Sequence, residues 1–221
     1  MIKALLVDLD GTLLDDEAAM KAAVQAFYQT HRSSLVDEEI SAFAQRWGRA
    51  SKKHWQRFVN GELTFVGQQR ERVREVLSLN FSDEAADRAF APYLNAYEAA
   101  WRCFDDVAPF LEATRRWPKL AVTNGARLQQ KAKMITTGLI AQIPDLVTPE
   151  ETGAWKPDPV IFLHALHLLK VRPEEAMMIG DDSARDIEPA TRLGMRTFWV
   201  RRGVNGLGDA IALINGGAAP E

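Results

Sequence analysis

Residues 4–12 read ALLVDLDGT, so that four apolar residues are followed at once by a polar loop carrying Asp8 and Asp10. A short, fully apolar run predicts a strand that is buried on both faces, as strands of parallel sheets are. Ligands of an open parallel sheet bind beyond the carboxyl ends of its strands. Asp8 and Asp10 are therefore candidate functional residues at the edge of such a sheet.

The rest of the chain divides into a helical stretch and a stretch where strands and helices alternate. Residues 15–99 show long helical patterns, with Ala22, Ala23, Ala26 and Phe27 at helical spacing, and predict no strand. After residue 100, apolar strand-like segments alternate with predicted helices, which include 107–117 and 184–193. This alternation predicts an α/β fold with a Rossmann-like parallel sheet. We expect a core of residues 1–14 and 100–221, with a helical domain of residues 15–99 inserted after the first strand.

Composition and charge exclude several classes of protein. Hydrophobic residues make up 47% of the 221 residues, which excludes a mainly disordered chain. The net charge of −3 argues against electrostatic binding to nucleic acid. A single cysteine, Cys103, cannot form an intramolecular disulfide, and no apolar run approaches the ~20 residues of a membrane helix. The sequence therefore predicts a cytoplasmic protein without nucleic-acid or membrane partners, as a monomer or homodimer.

Polar residues follow each of the other central strands. Thr123 and Asn124 come after one strand, Asp181 and Asp182 come after another, and Lys156 precedes a predicted helix. Several carboxylates at one edge repel each other unless a cation lies among them, and oxygen ligands of this kind suit Mg²⁺. Hydroxyl, ammonium and loop N–H donors suit the oxygens of a phosphoryl group. We therefore expect a magnesium and phosphate site here.

Four segments together resemble the ordered motifs of the haloacid dehalogenase-like hydrolase superfamily. They are VDLDGTLLD (7–15), LAVTNG (120–125), WKPDPVIF (155–162) with its lysine, and IGDDSARDIEPATRLGM (179–195). The helical insertion resembles the cap of subfamily I. Within that subfamily, the helical cap and the TNG and KPDP sequences most resemble those of the N-acylneuraminate-9-phosphatases and the pyrimidine nucleotidases.

This resemblance implies a role for each aspartate of the first motif. Asp8 would be the nucleophile that forms an aspartyl-phosphate. Asp10 would be the general acid for the leaving oxygen and then the base for water. Mg²⁺ would be held by the Asp8 carboxylate, the Asp10 backbone carbonyl and Asp181.

The resemblance also implies how the phosphoryl group is bound. The Thr123 hydroxyl, the Asn124 backbone N–H and Lys156 would hold its oxygens. Asp186 would orient Lys156 or a water on the metal. Asp182 departs from relatives that carry serine, which leaves open how Asp181 and Asp182 divide the metal site.

The implied function is a Mg²⁺-dependent phosphatase acting on a small phosphorylated metabolite. A 2-haloacid dehalogenase uses the same nucleophile without a metal and lacks an acid at the second position, so Asp10 argues against it. A phosphomutase on the same fold stays open. A signalling phosphoacceptor domain would be about half this length without an insertion, and a non-catalytic binding protein is expected to have lost one of the motif residues.

Two other features have competing interpretations. The segment 46–57 holds five basic residues with Trp47 and Trp55 between them, and it either attracts an anionic substrate or forms a solvated helix face. His164 and His167 lie three residues apart on one predicted helix and are a possible metal pair without an evident acidic partner.

Overall fold

The computed structural model describes residues 1–35 and 38–216, and within them five parallel strands form one sheet in the order β3-β2-β1-β4-β5. The strands are β1 (Ala4–Val7), β2 (Lys119–Val122), β3 (Leu146–Val147), β4 (Ala176–Gly180) and β5 (Arg196–Trp199). The predicted Rossmann-like α/β core is therefore confirmed. After β3 the chain crosses back to the other side of β1, so the reversal of strand order that creates a ligand crevice lies beside β1.

The helices lie on both faces of this sheet or in the stretch between β1 and β2. In chain order they are α1 (Asp16–Thr30), α2 (Ile40–Val59), α3 (Phe65–Leu77), α4 (Asp83–Ala99), α5 (Val107–Ala113), α6 (Arg127–Thr136), α7 (Pro149–Thr152), α8 (Pro159–Leu169), α9 (Glu188–Arg192) and α10 (Leu207–Ile214). Side chains of β1 alternate between the faces: Leu5 and Val7 join a buried cluster with Phe110, whereas Leu6 joins one with Phe162. Burial on both faces explains why β1 is uniformly apolar.

Two predicted helices have different bounds in the structure. The helix predicted at 107–117 ends at Ala113 in the structure. Beyond this end, the Lys119 ammonium donates to the carbonyls of Thr114 and Trp117 at 2.6 and 3.2 Å. The helix predicted at 184–193 is a π-helical turn, Ser183–Ile187, followed by α9. Pro189 lies at the start of α9, where its missing N–H costs no hydrogen bond.

The chain divides into two compact units, which are Met1–Asp16 with Trp101–Glu221, and Glu17–Ala100. Residues 217–221 of the predicted core range lie outside the described residues. The helical unit has an aromatic centre of its own, in which Trp47 lies 4.5 Å from Phe27 and 4.8 Å from Tyr93 between ring centroids. That this unit serves as a cap stays a prediction.

The basic segment 46–57 lies on α2. Three of its cations form ion pairs with acidic residues of the helical unit, namely Arg46–Glu38, Lys53–Glu75 and Arg57–Glu62. Trp47 is 3% exposed, while Trp55 is only partly buried. These contacts favour the interpretation of this segment as a paired and solvated helix face. In residues 1–35 and 38–216, no helix is long and apolar enough to cross a membrane.

Candidate active site

Asp8 lies directly beyond the end of β1, where its backbone N–H donates to the carbonyl of Ile179 in β4 at 2.9 Å. Its side chain is buried, and Oδ1 accepts a hydrogen bond from Lys156 Nζ at 2.6 Å. Burial raises the pKa of Asp8 to about 6, with a contribution from the Asp186 carboxylate, against the opposing effect of the Lys156 ammonium. A carboxylate in this position is stabilised only while a cation lies next to it.

Lys156 joins Asp8 to a second buried carboxylate. Its ammonium donates to Asp8 Oδ1 and Asp186 Oδ1, both at 2.6 Å, and to the carbonyl of Val122 at 2.9 Å. Burial acts to lower the pKa of Lys156, but the two carboxylates raise it above its ordinary value, so the side chain stays charged. Asp186 therefore contacts Lys156 directly, as expected for a residue that orients this lysine.

The side chain of Asn124 positions the backbone of Lys156, a role that the sequence does not predict. Asn124 Oδ1 accepts from the backbone N–H of Lys156 at 2.7 Å, and Asn124 Nδ2 donates to the carbonyl of Lys156 at 2.9 Å. This pair of bonds fixes the loop before α8 against the loop after β2. The neighbouring Thr123 is 2% exposed, and its hydroxyl oxygen accepts from the backbone N–H of Gly125 at 3.1 Å.

Asp8, Asp181 and Asp186 form the one group of three or more His, Cys, Asp or Glu in the described part of the chain with ligand atoms all within 4.8 Å of one another. The group does not include His164 or His167. Asp186 Oδ1 and Oδ2 accept from Lys156 and from the backbone N–H of Asp182, respectively, so its oxygens already have protein donors. The cluster therefore offers Asp8 and Asp181 as the more available ligands.

Thr12 and Gly11 shape the space around Asp181. The Thr12 hydroxyl lies 3.2 Å from Asp8 Oδ2 and 3.1 Å from Asp181 Oδ1, between the two carboxylates. Gly11 has a φ of +84°, and a Cβ at this position would lie 2.8 Å from Asp181 Cγ. Burial and the nearby Asp8 carboxylate raise the pKa of Asp181 to about 6. These two carboxylates, crowded in a space that only glycine leaves free, suit a bound divalent cation.

The carboxylate of Asp10 lies against α6 rather than in the carboxylate cluster. Gln130 Nε2 donates to Asp10 Oδ2 and Lys133 Nζ donates to Asp10 Oδ1, both at 2.6 Å. Lys133 also donates to Asp16 Oδ1 at 2.8 Å. Neither donor is predicted from the sequence. Gln130 and Lys133 lie three residues apart on the buried face of α6, and only the folded structure shows this burial.

Asp182 faces a different partner from Asp181. Its Oδ1 accepts from the backbone N–H of Arg185 at 2.8 Å, and its Oδ2 accepts from Arg185 Nε at 2.7 Å. Burial acts to raise the pKa of Asp182, but these hydrogen bonds hold it below its ordinary value. Asp182 is thus the N-cap of the π-helical turn, and it does not belong to the carboxylate cluster.

Comparison with known proteins shows that the chain is similar to phosphatases. The chain is similar to a phosphoserine phosphatase of Thermus thermophilus, with 32% identity over 92% of this chain and 90% of that protein. It is likewise 32% identical to a glyceraldehyde 3-phosphate phosphatase of Methanopyrus kandleri, over 92% of this chain and 85% of that protein.

Solved structures share the fold. The putative HAD-hydrolase YfnB from Bacillus subtilis, solved bound to magnesium, superposes with a TM-score of 0.79 at 20% identity, covering 97% of this chain and 99% of that one. A 2-haloacid dehalogenase from Pseudomonas syringae superposes with a TM-score of 0.70 at 24% identity, with coverage of 97% and 99%.

The family model described as haloacid dehalogenase-like hydrolase matches residues 2–194, a range that contains every candidate site residue discussed above. Together with the buried Asp8–Lys156–Asp186 arrangement at the edge of a five-stranded parallel sheet, this match establishes that the chain is an enzyme belonging to the haloacid dehalogenase-like hydrolase family.

Proposed function

We propose that the chain is a Mg²⁺-dependent phosphatase that hydrolyses a small phosphorylated metabolite through an aspartyl-phosphate on Asp8. The observation that carries this proposal is the hydrogen bond of 2.6 Å between Asp8 and the buried, charged Lys156. The carboxylates of Asp181 and Asp186 lie close to this pair. An anionic nucleophile next to a fixed ammonium suits attack on a phosphoryl group, whose charge the ammonium offsets. The relatives named as phosphatases support the same reaction.

The metal would be held by the Asp8 carboxylate, the Asp10 backbone carbonyl and Asp181. When bound, Mg²⁺ supplies the positive charge that neutralises neighbouring carboxylates and phosphoryl oxygens. The raised pKa values of Asp8 and Asp181 support this assignment. Burial is the main cause, neighbouring carboxylates add to it, and a cation between these groups would offset both effects.

The reaction would proceed in two steps that use the aspartates differently. In the first, a carboxylate oxygen of Asp8 forms a bond to phosphorus, the ester P–O bond breaks, and the Asp10 carboxyl group gives its proton to the leaving oxygen. In the second, water attacks phosphorus, its proton passes to the Asp10 carboxylate, and the bond from Asp8 to phosphorus breaks. Thr123, the Asn124 backbone N–H and Lys156 would hold the phosphoryl oxygens throughout.

The alternatives differ in their use of Asp10. A 2-haloacid dehalogenase needs no acid at this position, whereas here two buried donors hold the Asp10 carboxylate. A phosphomutase would use the same first step and pass the phosphoryl group to a sugar instead of water. The likeness to N-acylneuraminate-9-phosphatases and pyrimidine nucleotidases stays a prediction. The relatives described above are instead named as a phosphoserine phosphatase and a glyceraldehyde 3-phosphate phosphatase.

The test combines metal removal with variants of the two aspartates. With p-nitrophenyl phosphate and Mg²⁺ we expect turnover that EDTA abolishes, that Mg²⁺ restores and that Ca²⁺ inhibits, because calcium generally takes more ligands than magnesium does. Asp8→Asn should give no product. Asp10→Asn should give a burst of p-nitrophenol followed by slow turnover, since an aryl leaving group needs little protonation but water still lacks a base.

Mass spectrometry of quenched Asp10→Asn should find one added phosphoryl group on the peptide containing Asp8. With alkyl phosphates the same variant should lose about 10²–10⁴ in rate. A panel of phosphoserine, glyceraldehyde 3-phosphate, nucleotides and sialic acid 9-phosphate then ranks substrates. Full turnover in EDTA would refute metal dependence, and a burst in Asp8→Asn would refute Asp8 as the nucleophile.

A further inference from the structure

We infer that Gln130 and Lys133 are positioning residues that hold the Asp10 carboxyl group in place for proton transfer, an inference that rests on the phosphatase function proposed above. The two residues lie one turn apart on α6, and each donates one hydrogen bond of 2.6 Å to a different oxygen of Asp10. A carboxyl group with a donor on each oxygen is restrained both in its position and in its rotation about the Cβ–Cγ bond. General acid–base catalysis requires this restraint, because the proton must be within hydrogen-bond reach of the reacting oxygen.

The two donors are buried, whereas the carboxyl group that they hold is partly exposed. Gln130 and Lys133 are each 1% exposed, whereas the Asp10 side chain is 29% exposed. The donors are therefore enclosed by protein, while the group they hold keeps a solvent-accessible face. This is the arrangement that a reacting group needs when supporting residues fix its orientation.

The charge of Lys133 is balanced by two carboxylates. Besides Asp10 it binds Asp16, the first residue of α1, at 2.8 Å. Burial acts to lower the pKa of Lys133, but Asp10 and Asp16 raise it above its ordinary value, so the ammonium is charged. A buried ion pair stabilises a fold little compared with a hydrophobic residue of similar volume. Stability alone therefore gives little reason for a lysine at this position, whereas holding Asp10 does.

Gly125 provides the space that Gln130 occupies. A Cβ at position 125 would lie 2.6 Å from Gln130 Cγ, well inside contact distance. The glycine that follows Thr123 and Asn124 thus allows the amide of Gln130 to pass beneath the loop and reach Asp10. The loop after β2 and the buried face of α6 are in this way fitted to one another around the Asp10 carboxyl group.

The experiment compares Gln130→Met and Lys133→Met with matched controls on the same helix. Gln129→Met and Lys131→Met make the same chemical changes at neighbouring positions, of which Lys131 is exposed. For each variant, single-turnover rates of the first step are measured with an alkyl phosphate and with p-nitrophenyl phosphate, together with KM and the thermal unfolding midpoint.

We expect Gln130→Met and Lys133→Met to lower the alkyl phosphate rate by about 10-fold or more, since they remove part of an acid–base effect of about 10²–10⁴. The aryl rate and KM should change less than about 3-fold, and both controls should behave as the parent protein. In an Asp10→Asn background the two changes should have no further effect, because residues that act through one group are not additive.

Equal losses for aryl and alkyl esters, or additive losses in the Asp10→Asn background, would overturn the inference and leave Gln130 and Lys133 as structural residues. If Lys133→Met does not fold, Gln130→Met carries the test, because it removes no charge. Failure of the proposed function is distinct: the parent protein would then hydrolyse none of the esters.

Discussion

At the scale of single residues, Gly11 combines an unusual backbone conformation with a close approach. Its φ is +84°, a left-handed conformation that costs other residues about 1–2 kcal/mol. A Cβ there would also collide with the Asp181 carboxyl group. Gly203 has a φ of +87° and has nothing within 4 Å of a built Cβ. A substitution at Gly203 therefore introduces backbone strain alone, whereas the same substitution at Gly11 also displaces a proposed metal ligand.

We expect Gly11→Ala to weaken Mg²⁺ binding by about 10–100-fold, because displacing a ligand's support has that effect on metal sites. Gly203→Ala carries the same backbone strain but should leave Mg²⁺ affinity within about 3-fold of the parent value. Isothermal titration with Mg²⁺, together with urea unfolding, measures both quantities. Equal Mg²⁺ affinities in the two variants would mean that the Asp181 carboxylate is not where the metal binds.

At the scale of elements, the π-helical turn Ser183–Ile187 explains how two adjacent aspartates differ. Asp181 belongs to the carboxylate cluster, whereas Asp182 caps the turn and pairs with Arg185. Asp186, four residues later, lies on the same turn and reaches Lys156 from there. The turn thus directs Asp186 towards Lys156, while its N-cap residue, Asp182, accepts a hydrogen bond from the backbone N–H of Arg185.

We expect Asp182→Ser to keep the Mg²⁺ affinity within about 3-fold of the parent value, since serine caps helices as well as aspartate does. Asp182→Ala should lower the free energy of unfolding by about 1 kcal/mol through loss of the cap. Asp181→Asn is the positive control and should remove most Mg²⁺ binding. If Asp182→Ser weakened Mg²⁺ binding as much as Asp181→Asn does, Asp182 would be a ligand and the proposed division between them would be wrong.

At the scale of the whole molecule, each compact unit has a hydrophobic centre of its own. All the residues proposed to bind metal or phosphate belong to the unit Met1–Asp16 with Trp101–Glu221. Trp47 belongs to the other unit, where it is 3% exposed and stacks against Tyr93 and Phe90. Damage to the centre of the helical unit should therefore leave the metal site in the core unit intact.

Trp47→Ala should lower the free energy of unfolding of the helical unit by about 3–5 kcal/mol, as large-to-small changes in a core do. Trp55→Ala on the same helix should cost less, because that side chain is only partly buried. Circular dichroism during urea unfolding measures the loss, and titration below the unfolding transition measures Mg²⁺ affinity, which should stay within about 3-fold. A parallel loss of Mg²⁺ affinity in Trp47→Ala would show that the metal site depends on the helical unit.

The apolar runs and the residues that follow them were sufficient to predict the core. A strand buried on both faces needs apolar side chains at every position, so ALLV at Ala4–Val7 was recognisable without any tertiary information. The order of strands and helices then predicted a parallel sheet. The residues after its strands include Asp8, Asp181 and Asp186, which the structure brings together, but also Asp10 and Asp182, whose side chains have other partners. Helix ends were less predictable: α5 ends at Ala113, although the apolar pattern predicted a helix as far as residue 117.

The partners of the site residues were decided only by the tertiary structure. Gln130 and Lys133 look in the sequence like ordinary polar positions of a helix, and only packing shows that they are buried. Asp10 lies 120 residues from Gln130 and 123 from Lys133, so no local pattern connects them. The physical reason is that periodicity and turn chemistry depend on neighbours along the chain. A buried polar side chain instead takes the partner that the fold brings within hydrogen-bond distance.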